Sequence, residues 1–324
     1  MFAPATDLPT RRIGDGPGAL EVSVVGLGCS NFGGRLDRDR TRAVIDAALD
    51  AGITLLDTAD VYGGSGASES LIGEALEGRR DRVVIATKFG MDMHDADVPA
   101  APKGSRDYIR WAVEGSLSRL RTDRIDLYQL HYPDGFTPIA ETLAALNELV
   151  VEGLVAQIGC SNFEAARLAE AEAAARDAGL ARFVTVQNEY SLLERGIEAG
   201  LVPICDRLGI GVIPYFPLAS GLLSGRYGRD AELPFGARLR GRETVGTDAH
   251  FDVLDRLAAY AAARDIEISD VAIAGLAAQP AVSSVIAGAT KPEQIVANVA
   301  ALKWSPSEDD LRELDRLAPT ARDS

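Results

Sequence analysis

Eight short apolar runs punctuate this chain, and the gaps between them hold segments of helical periodicity. The runs are VVGLG ending near Gly28, ITLLD at 53–57, RVVIATK at 82–88, RIDLYQLH at 124–131, VAQIG at 155–159, FVTVQ at 183–187, IGVIPY at 210–215 and VSSVIAG at 282–288. They are continuous in Val, Ile and Leu rather than alternating, as strands covered on both faces must be, so they predict a parallel sheet. Helix signals stand between them: Asp37 to Asp50 closed by Gly52, Ser105 to Leu120, Thr137 to Val150, and Phe163 to Ala178 closed by Gly179. Eight such units favour closure into a (β/α)8 barrel, the TIM barrel. An open doubly wound sheet is the rival, but no GxGxxG stands at a strand-to-helix turn.

Two further features flank the repeat. Arg11 to Ile13 and Leu20 to Val24 are β-prone and are joined by Gly14-Asp15-Gly16-Pro17-Gly18, which predicts a hairpin lying over one end of the barrel. The stretch from Tyr215 to Val282 is too long for one crossover. It is read as a Gly- and Arg-rich loop over roughly 216–250, a candidate lid, followed by helices near Phe251 to Arg264 and Ser269 to Ala278. A last helix is expected from Ser307 to Leu317, behind Ser-Pro-Ser-Glu-Asp-Asp. At 324 residues and 47% hydrophobic, the chain suits one barrel domain over 1–324 with extra C-terminal helices, residues 1–9 being expected to be flexible.

Charge and cysteine usage exclude several functions. A formal net charge of -15 is unsuited to tracking nucleic acid or an anionic membrane, so any anionic ligand must be held by local positive charge. Cys29, Cys160 and Cys205 are odd in number and far apart, which fits a reducing compartment, and the expected location is the cytoplasm. MFAPATDLPT has no signal-peptide pattern and no later stretch reads as a membrane span, so neither export nor membrane insertion is expected. His94 and His250 have no ligand partner at metal spacing, and no metal is expected.

In such a barrel, chemistry gathers at the C-terminal strand ends. Strand two ends in Asp57 with Tyr62 just beyond, strand three in Lys88, and strand four in His131. Reducing a carbonyl delivers hydride to carbon while negative charge grows on oxygen, so a proton donor must stand beside that oxygen. A phenol at its ordinary pKa is a reluctant acid, and a neighbouring ammonium makes it a better one. Lys88 suits that task for Tyr62, Asp57 is the counter-ion such an ammonium needs, and His131 can donate to the substrate oxygen. Singly, each residue reads as well as a cap, a surface charge or a core histidine. Four chemical types ending three consecutive strands do not.

LLDTADVYG with TKFG and LYQLHYPD resembles the aldo-keto reductase superfamily and matches its Asp, Tyr, Lys, His tetrad. The similarity runs through IGCSNF, VQNEYSLL, PYFPLASGLLSGRYG and GATKPEQIVAN, nearly the whole chain. It implies that Ser161, Asn162 and Gln187 bind the nicotinamide carboxamide and that Tyr215 stacks on its ring. It also implies that Phe216, Pro217, Leu218 and Gly221 follow the pyrophosphate, with Arg226 and Arg238 closing over it. Thr290 and Lys291 ahead of Pro292 would form an anion site for the 2′-phosphate of NADP, and Gln294 and Asn298 would face ribose and adenine. The Lys and Arg that hold this phosphate in many members align with Gly288 and Gln294 here, so NAD(H) stays open beside NADP(H). GLGCSNFGG places Cys29, Ser30 and Arg35 near the cofactor. The activity implied is NADP(H)-dependent reduction of a small-molecule carbonyl, or oxidation of an alcohol, the oligomeric state being open. The alternatives are an NAD-dependent sugar or alcohol dehydrogenase, and a nicotinamide-binding regulatory subunit with marginal turnover, resembling the channel-associated members.

Overall fold

A computed structural model describes residues 8–93, 97–229 and 246–320. The antiparallel hairpin pairs β1 (Thr10–Ile13) with β2 (Leu20–Ser23), and eight strands follow: β3 (Val25–Gly28), β4 (Leu55–Asp57), β5 (Val84–Phe89), β6 (Ile125–Leu130), β7 (Val155–Ser161), β8 (Phe183–Glu189), β9 (Gly211–Tyr215) and β10 (Val285–Gly288). These eight are parallel in the order β10-β3-β4-β5-β6-β7-β8-β9. The sheet closes where the Val212 amide donates to Ala281 O (2.7 Å) and the Ser283 amide to Val212 O (2.8 Å). All eight apolar runs are therefore barrel staves.

The helices are α1 (Arg38–Asp50), α2 (Ala67–Ala75), α3 (Arg106–Leu120), α4 (Ile139–Val151), α5 (Ala165–Ala178), α6 (Leu201–Leu208), α7 (Asp248–Ala262), α8 (Ile268–Ala277), α9 (Pro292–Ala300) and α10 (Glu308–Leu317). Their ends follow local chemistry. The Asp37 carboxylate caps α1 by accepting from the Arg40 amide, Gly179 ends α5 in the left-handed conformation, and Ser307 and Asp310 form a reciprocal capping box on α10. Two helices lack clear sequence signals: α2 begins behind the glycine-rich YGGSG, and α6 carries Pro203 in its first turn, where proline is tolerated.

The hairpin plugs the N-terminal end of the barrel. Ile13, Leu20 and Val22 pack against the inward residues Leu55, Ala86, Leu127, Val184, Ile213 and Ile286. Each large apolar side chain buried this way contributes about 1.5–3 kcal/mol. Because strand side chains alternate with period two, the residues two places beyond Leu55, Ala86 and Leu127 also face inward, one layer higher. Those residues are Asp57, Lys88 and Gln129. The interior thus turns from apolar to polar on moving toward the C-terminal mouth. At that mouth, Leu222 and Leu223 are buried with Leu254 and Leu257 of α7 and Val271 of α8, which anchors the segment leaving β9.

Candidate active site

Lys88 is fully buried, and its three donors all find oxygen: Asp57 Oδ2 at 2.7 Å, Thr58 O at 2.8 Å and Tyr62 Oη at 3.5 Å. Asp57 is satisfied from the other side, since its Oδ1 accepts from Gln187 Nε2 (2.8 Å) and Gln129 Nε2 (3.3 Å). A buried ion pair repays its desolvation only when its remaining hydrogen-bonding capacity is used, as it is here. Burial alone pulls the Lys88 ammonium down. The Asp57 carboxylate and the Tyr62 oxygen outweigh burial, and the pKa of Lys88 stands above the usual lysine value.

Tyr62 reaches this lysine because the chain leaving β4 rides along β5. The Thr58 amide donates to Ala86 O (2.8 Å), the Asp60 amide to Lys88 O (3.0 Å), and the Tyr62 amide to Ala59 O (3.1 Å). Gly63 follows at φ +75°, and a Cβ there would run into Phe32 O and Ala67, so the turn requires glycine. His131 follows β6 with its ring edge-on to Tyr62, centroids 5.8 Å apart, and the ring of Tyr132 stacks on it at 5.5 Å. Burial first, then the Lys88 charge, hold the imidazole down to a pKa of about 3, so it is neutral at ordinary pH. Its Nδ1 is buried with no hydrogen-bond partner among the described residues.

Asn162, in the left-handed conformation at φ +59°, donates through Nδ2 to His131 O (3.1 Å) and Ser161 Oγ (3.0 Å), while its Oδ1 accepts from Tyr215 Oη (2.8 Å). Ser161 Oγ in turn donates to Gln187 O (2.8 Å). The side chains of Ser161, Asn162 and Tyr215 are therefore tied to one another and to the backbone of β8 and of His131 before any ligand arrives.

These groups border a groove of about 640 Å³. Asp57, Tyr62 and His131 line it together, and Lys88 lies just behind Tyr62. Cys29, Ser30, Ser161, Asn162, Gln187 and Tyr215 continue the lining, as do Phe216, Pro217, Leu218, Gly221 and Arg226 beyond β9. Gly288, Thr290 and Gln294 line it as well. Two expected members are not among the lining residues: Lys291 is exposed and Asn298 is buried on α9. Arg238 lies outside the described residues, as does His94. Phe216, Ala219 and Ser220 all have positive φ (54°, 45° and 57°), a costly run for residues with a Cβ, concentrated along one stretch of the wall. The Cys29 thiol is pushed well above its ordinary pKa, chiefly by burial and then by Asp57, so it stays a thiol.

Sequence reasoning missed Gln129, which bonds Asp57 from inside the barrel. The signal was present, since Gln129 lies two residues before His131 and so shares its face of the strand. Among the described residues there is no cluster of three or more His, Cys, Asp or Glu able to hold a metal, and His250 accompanies Thr247 at the start of α7.

Comparison with known proteins gives the class. The model of the aldo/keto reductase family matches residues 24–319, and the chain belongs to this family. It is 37% identical over 308 residues to the uncharacterized oxidoreductase YrpG of Bacillus subtilis, covering 93% of each chain. It is 34% identical over 307 residues to a probable voltage-gated potassium channel subunit beta of Oryza sativa, covering 90% of each. Among solved structures, the holo form of aldo-keto reductase AKR11C1 from Bacillus halodurans superposes with a TM-score of 0.79 at 32% identity, covering 97% of each chain. The protein is thus an oxidoreductase of the aldo-keto reductase family built on a (β/α)8 barrel.

Proposed function

We propose that the protein reduces the carbonyl of a small aldehyde or ketone, reversibly, with NADP(H), and that Tyr62 supplies the proton. The observation that carries this reading is the Tyr62 hydroxyl 3.5 Å from an ammonium that is itself fixed by Asp57, on the lining of a groove of about 640 Å³. The groove fits a nicotinamide cofactor in its donor set. Amide and hydroxyl groups of Ser161, Asn162 and Gln187 stand in the lining with Tyr62, and the lining continues through Phe216, Pro217, Leu218 and Gly221 to Thr290. When bound, the cofactor supplies hydride to the carbonyl carbon.

The chain's own residues do the rest. The Tyr62 hydroxyl hands its proton to the carbonyl oxygen as charge develops there, and the Lys88 ammonium stabilises the phenolate left behind. Asp57, Gln129 and Gln187 hold Lys88 so that its charge stays beside Tyr62. Neutral His131 donates to the same oxygen and sets the angle at which the carbonyl presents itself. In the opposite direction Tyr62 accepts the alcohol proton.

NADP(H) is favoured because the start of α9, with Thr290, Lys291 and Pro292, offers a helix N-terminus to the 2′-phosphate. One feature speaks for NAD(H): the Thr290 amide is already taken by Gln294 Oε1 at 2.7 Å. Relative affinity for the two cofactors, with and without Lys291→Ala, separates them. Three buried, unbridged cysteines support a reducing compartment such as the cytoplasm. Among the described residues, no helix is long and apolar enough to cross a membrane.

The test of the proton donor is Tyr62→Phe, which is expected to bind cofactor nearly as the parent does and to lose most of its turnover. Near-normal turnover would refute the assignment. The rice relative raises the regulatory reading. Single-turnover absorbance at the nicotinamide band with a panel of aldehydes distinguishes it, because a sensor oxidises bound cofactor very slowly.

A further inference from the structure

The backbone and the ring of His131 are held in different ways. The backbone is fixed by hydrogen bonds, since the amide donates to Phe89 O (2.8 Å) and the carbonyl accepts from Asn162 Nδ2 (3.1 Å). The ring has no such anchor on its buried side: Nδ1 has no hydrogen-bond partner among the described residues. Two aromatic contacts bear on its orientation instead. Tyr62 meets it edge-on, and Tyr132 lies nearly parallel to it, with centroids 5.5 Å apart and 18° between the planes. An offset stack of this kind is a preferred arrangement, but it fixes the imidazole only as firmly as Tyr132 is itself held.

Tyr132 is 44% exposed, so its place depends on the turn that carries it more than on burial. Pro133 biases the backbone of Tyr132 toward extended conformations. Then a single carboxylate gathers the turn. Asp134 Oδ1 accepts from the Phe136 and Thr137 amides (2.9 and 2.8 Å), and Oδ2 accepts from Thr137 Oγ1 and the Gly104 amide (both 2.7 Å). The Gly104 amide belongs to the loop after β5. Gly104 O accepts in turn from Thr142 Oγ1 of α4 (2.9 Å), and a Cβ on Gly104 would stand 2.7 Å from that hydroxyl oxygen, so the approach of the two loops requires glycine. Burial pushes the Asp134 carboxyl up, but the Thr137, Gly104 and Phe136 donors outweigh it and bring its pKa down to about 2, so the clamp is charged at neutral pH. Asp134 itself is half-buried and is not among the residues lining the groove.

We propose that Asp134 is a positioning residue for the reaction: by pinning the turn after β6 to the loop after β5, it holds Tyr132 against His131 and so sets the direction in which the imidazole donates to the carbonyl oxygen. This rests on the carbonyl-reducing reading above and adds the element that orients its histidine. Asp134 acts through Tyr132 and His131 and touches no reacting atom. A rotated imidazole presents the carbonyl at another angle, and that angle decides which face of the carbonyl carbon receives hydride.

The experiment follows para-nitrobenzaldehyde reduction with NADPH deuterated at the nicotinamide, reading kcat and KM per folded molecule and the enantiomeric ratio of the monodeuterated alcohol. The proteins are the parent, Asp134→Ala, Asp134→Asn, His131→Asn and the double variant Asp134→Ala/His131→Asn. Asp134→Ala is expected to lower kcat by about 10–100-fold, the scale of a small misplacement near the chemistry, with little change in the cofactor's KM and a ratio that moves toward one. Asp134→Asn, which keeps one acceptor oxygen, should recover part of both. In the His131→Asn background, Asp134→Ala should cost nothing further, because the group it positions is gone. In the free protein, the His131 ring protons should lose the shielding of the Tyr132 ring current in Asp134→Ala, a readout independent of turnover. If Asp134→Ala does not fold, Thr137→Val removes one donor and should move kcat, ratio and shielding the same way by less. Unchanged kcat, ratio and shielding in either variant overturn the proposal. A loss that adds in full in the double variant, or one confined to the cofactor's KM, marks general support of the loops and overturns it too. A parent that reduces no carbonyl, or a His131→Asn protein with parental turnover and ratio, overturns the reading on which the inference rests. An impaired His131→Asn beside an unimpaired Asp134→Ala overturns the inference alone.

Discussion

The two faces of β5 bury charge in different ways. Thr87 and Lys88 are neighbours on one strand and point to opposite sides of the barrel wall. On the inner face, Lys88 meets Asp57, Thr58 and Tyr62 at the edge of the groove. On the outer face, Thr87 Oγ1 donates to Glu69 Oε1 (2.6 Å), and Glu69 Oε2 accepts from Arg119 Nε (2.7 Å), tying α2 to α3. Asp60 is buried beside this second pair, and among the described residues neither of its carboxyl oxygens has a hydrogen-bond partner within ordinary limits. None of Glu69, Arg119 and Asp60 lines the groove. A buried ion pair or a shifted pKa therefore does not by itself mark a reactive site. What separates the two faces is that the inner ammonium has one donor left over for a hydroxyl facing open space.

The sharpest way to break this contrast is to disable the inner face without touching its packing. Tyr62→Phe is expected to lower turnover by roughly 10²–10⁴-fold, the usual range for a positioned acid, with an unchanged melting temperature. If Arg119 or Glu69 variants lose comparable turnover per folded molecule, the division of labour is wrong. Glu69→Ala should act on stability instead. It is expected to cost about 3 kcal/mol in denaturant unfolding, the low end for a broken buried pair, because 20% of the Arg119 side chain is already solvent-exposed.

Asp60→Asn should move stability the other way. Burial, then the neighbouring Glu69 charge, push the Asp60 carboxyl up to about 8. The folded chain thus holds a proton that the unfolded chain releases near pH 4, and stability falls as pH rises from about 4 to about 8. The variant is expected to match the parent at pH 4 and to be more stable by a few kcal/mol above pH 8. Identical unfolding curves at both pH values would mean that Asp60 is solvated or partnered.

The inner face was legible in the sequence and the outer face was not, for a physical reason. Asp57, Tyr62, Lys88 and His131 stand at strand ends, which are the one place where a barrel can expose polar groups to a ligand. Polar types at those positions are anomalous against the Val, Ile and Leu runs before them. Glu69, Asp60 and Arg119 sit on a helix, a loop and another helix, where such residues usually face water, and nothing local shows that packing of α2 on α3 buries them. The eight staves could be read because burial on both faces leaves a continuous apolar signature. Helices α2 and α6 could not, because Gly66 and Pro203 start or interrupt them and tertiary packing overrides those signals.

The smallest expected effect is an absence. An imidazole that orients a carbonyl by donating a hydrogen bond need not change charge, and the burial of His131, reinforced by Lys88, holds its pKa down to about 3 rather than near 6.5. The plot of kcat/KM against pH should accordingly show no inflection near 6.5 that His131→Asn removes. Because the folded-state pKa is depressed, the stability linked to this residue is complete above about pH 6.5 and is lost as pH falls toward 3. With only three histidines in the chain, the imidazole resonances can be assigned by substitution and titrated one by one. A titration of His131 between pH 6 and 7 would show that water reaches the ring in the free enzyme. The inner face would then owe its order to the ligand rather than to the fold, and the contrast with the closed outer cluster would become one of solvent access alone.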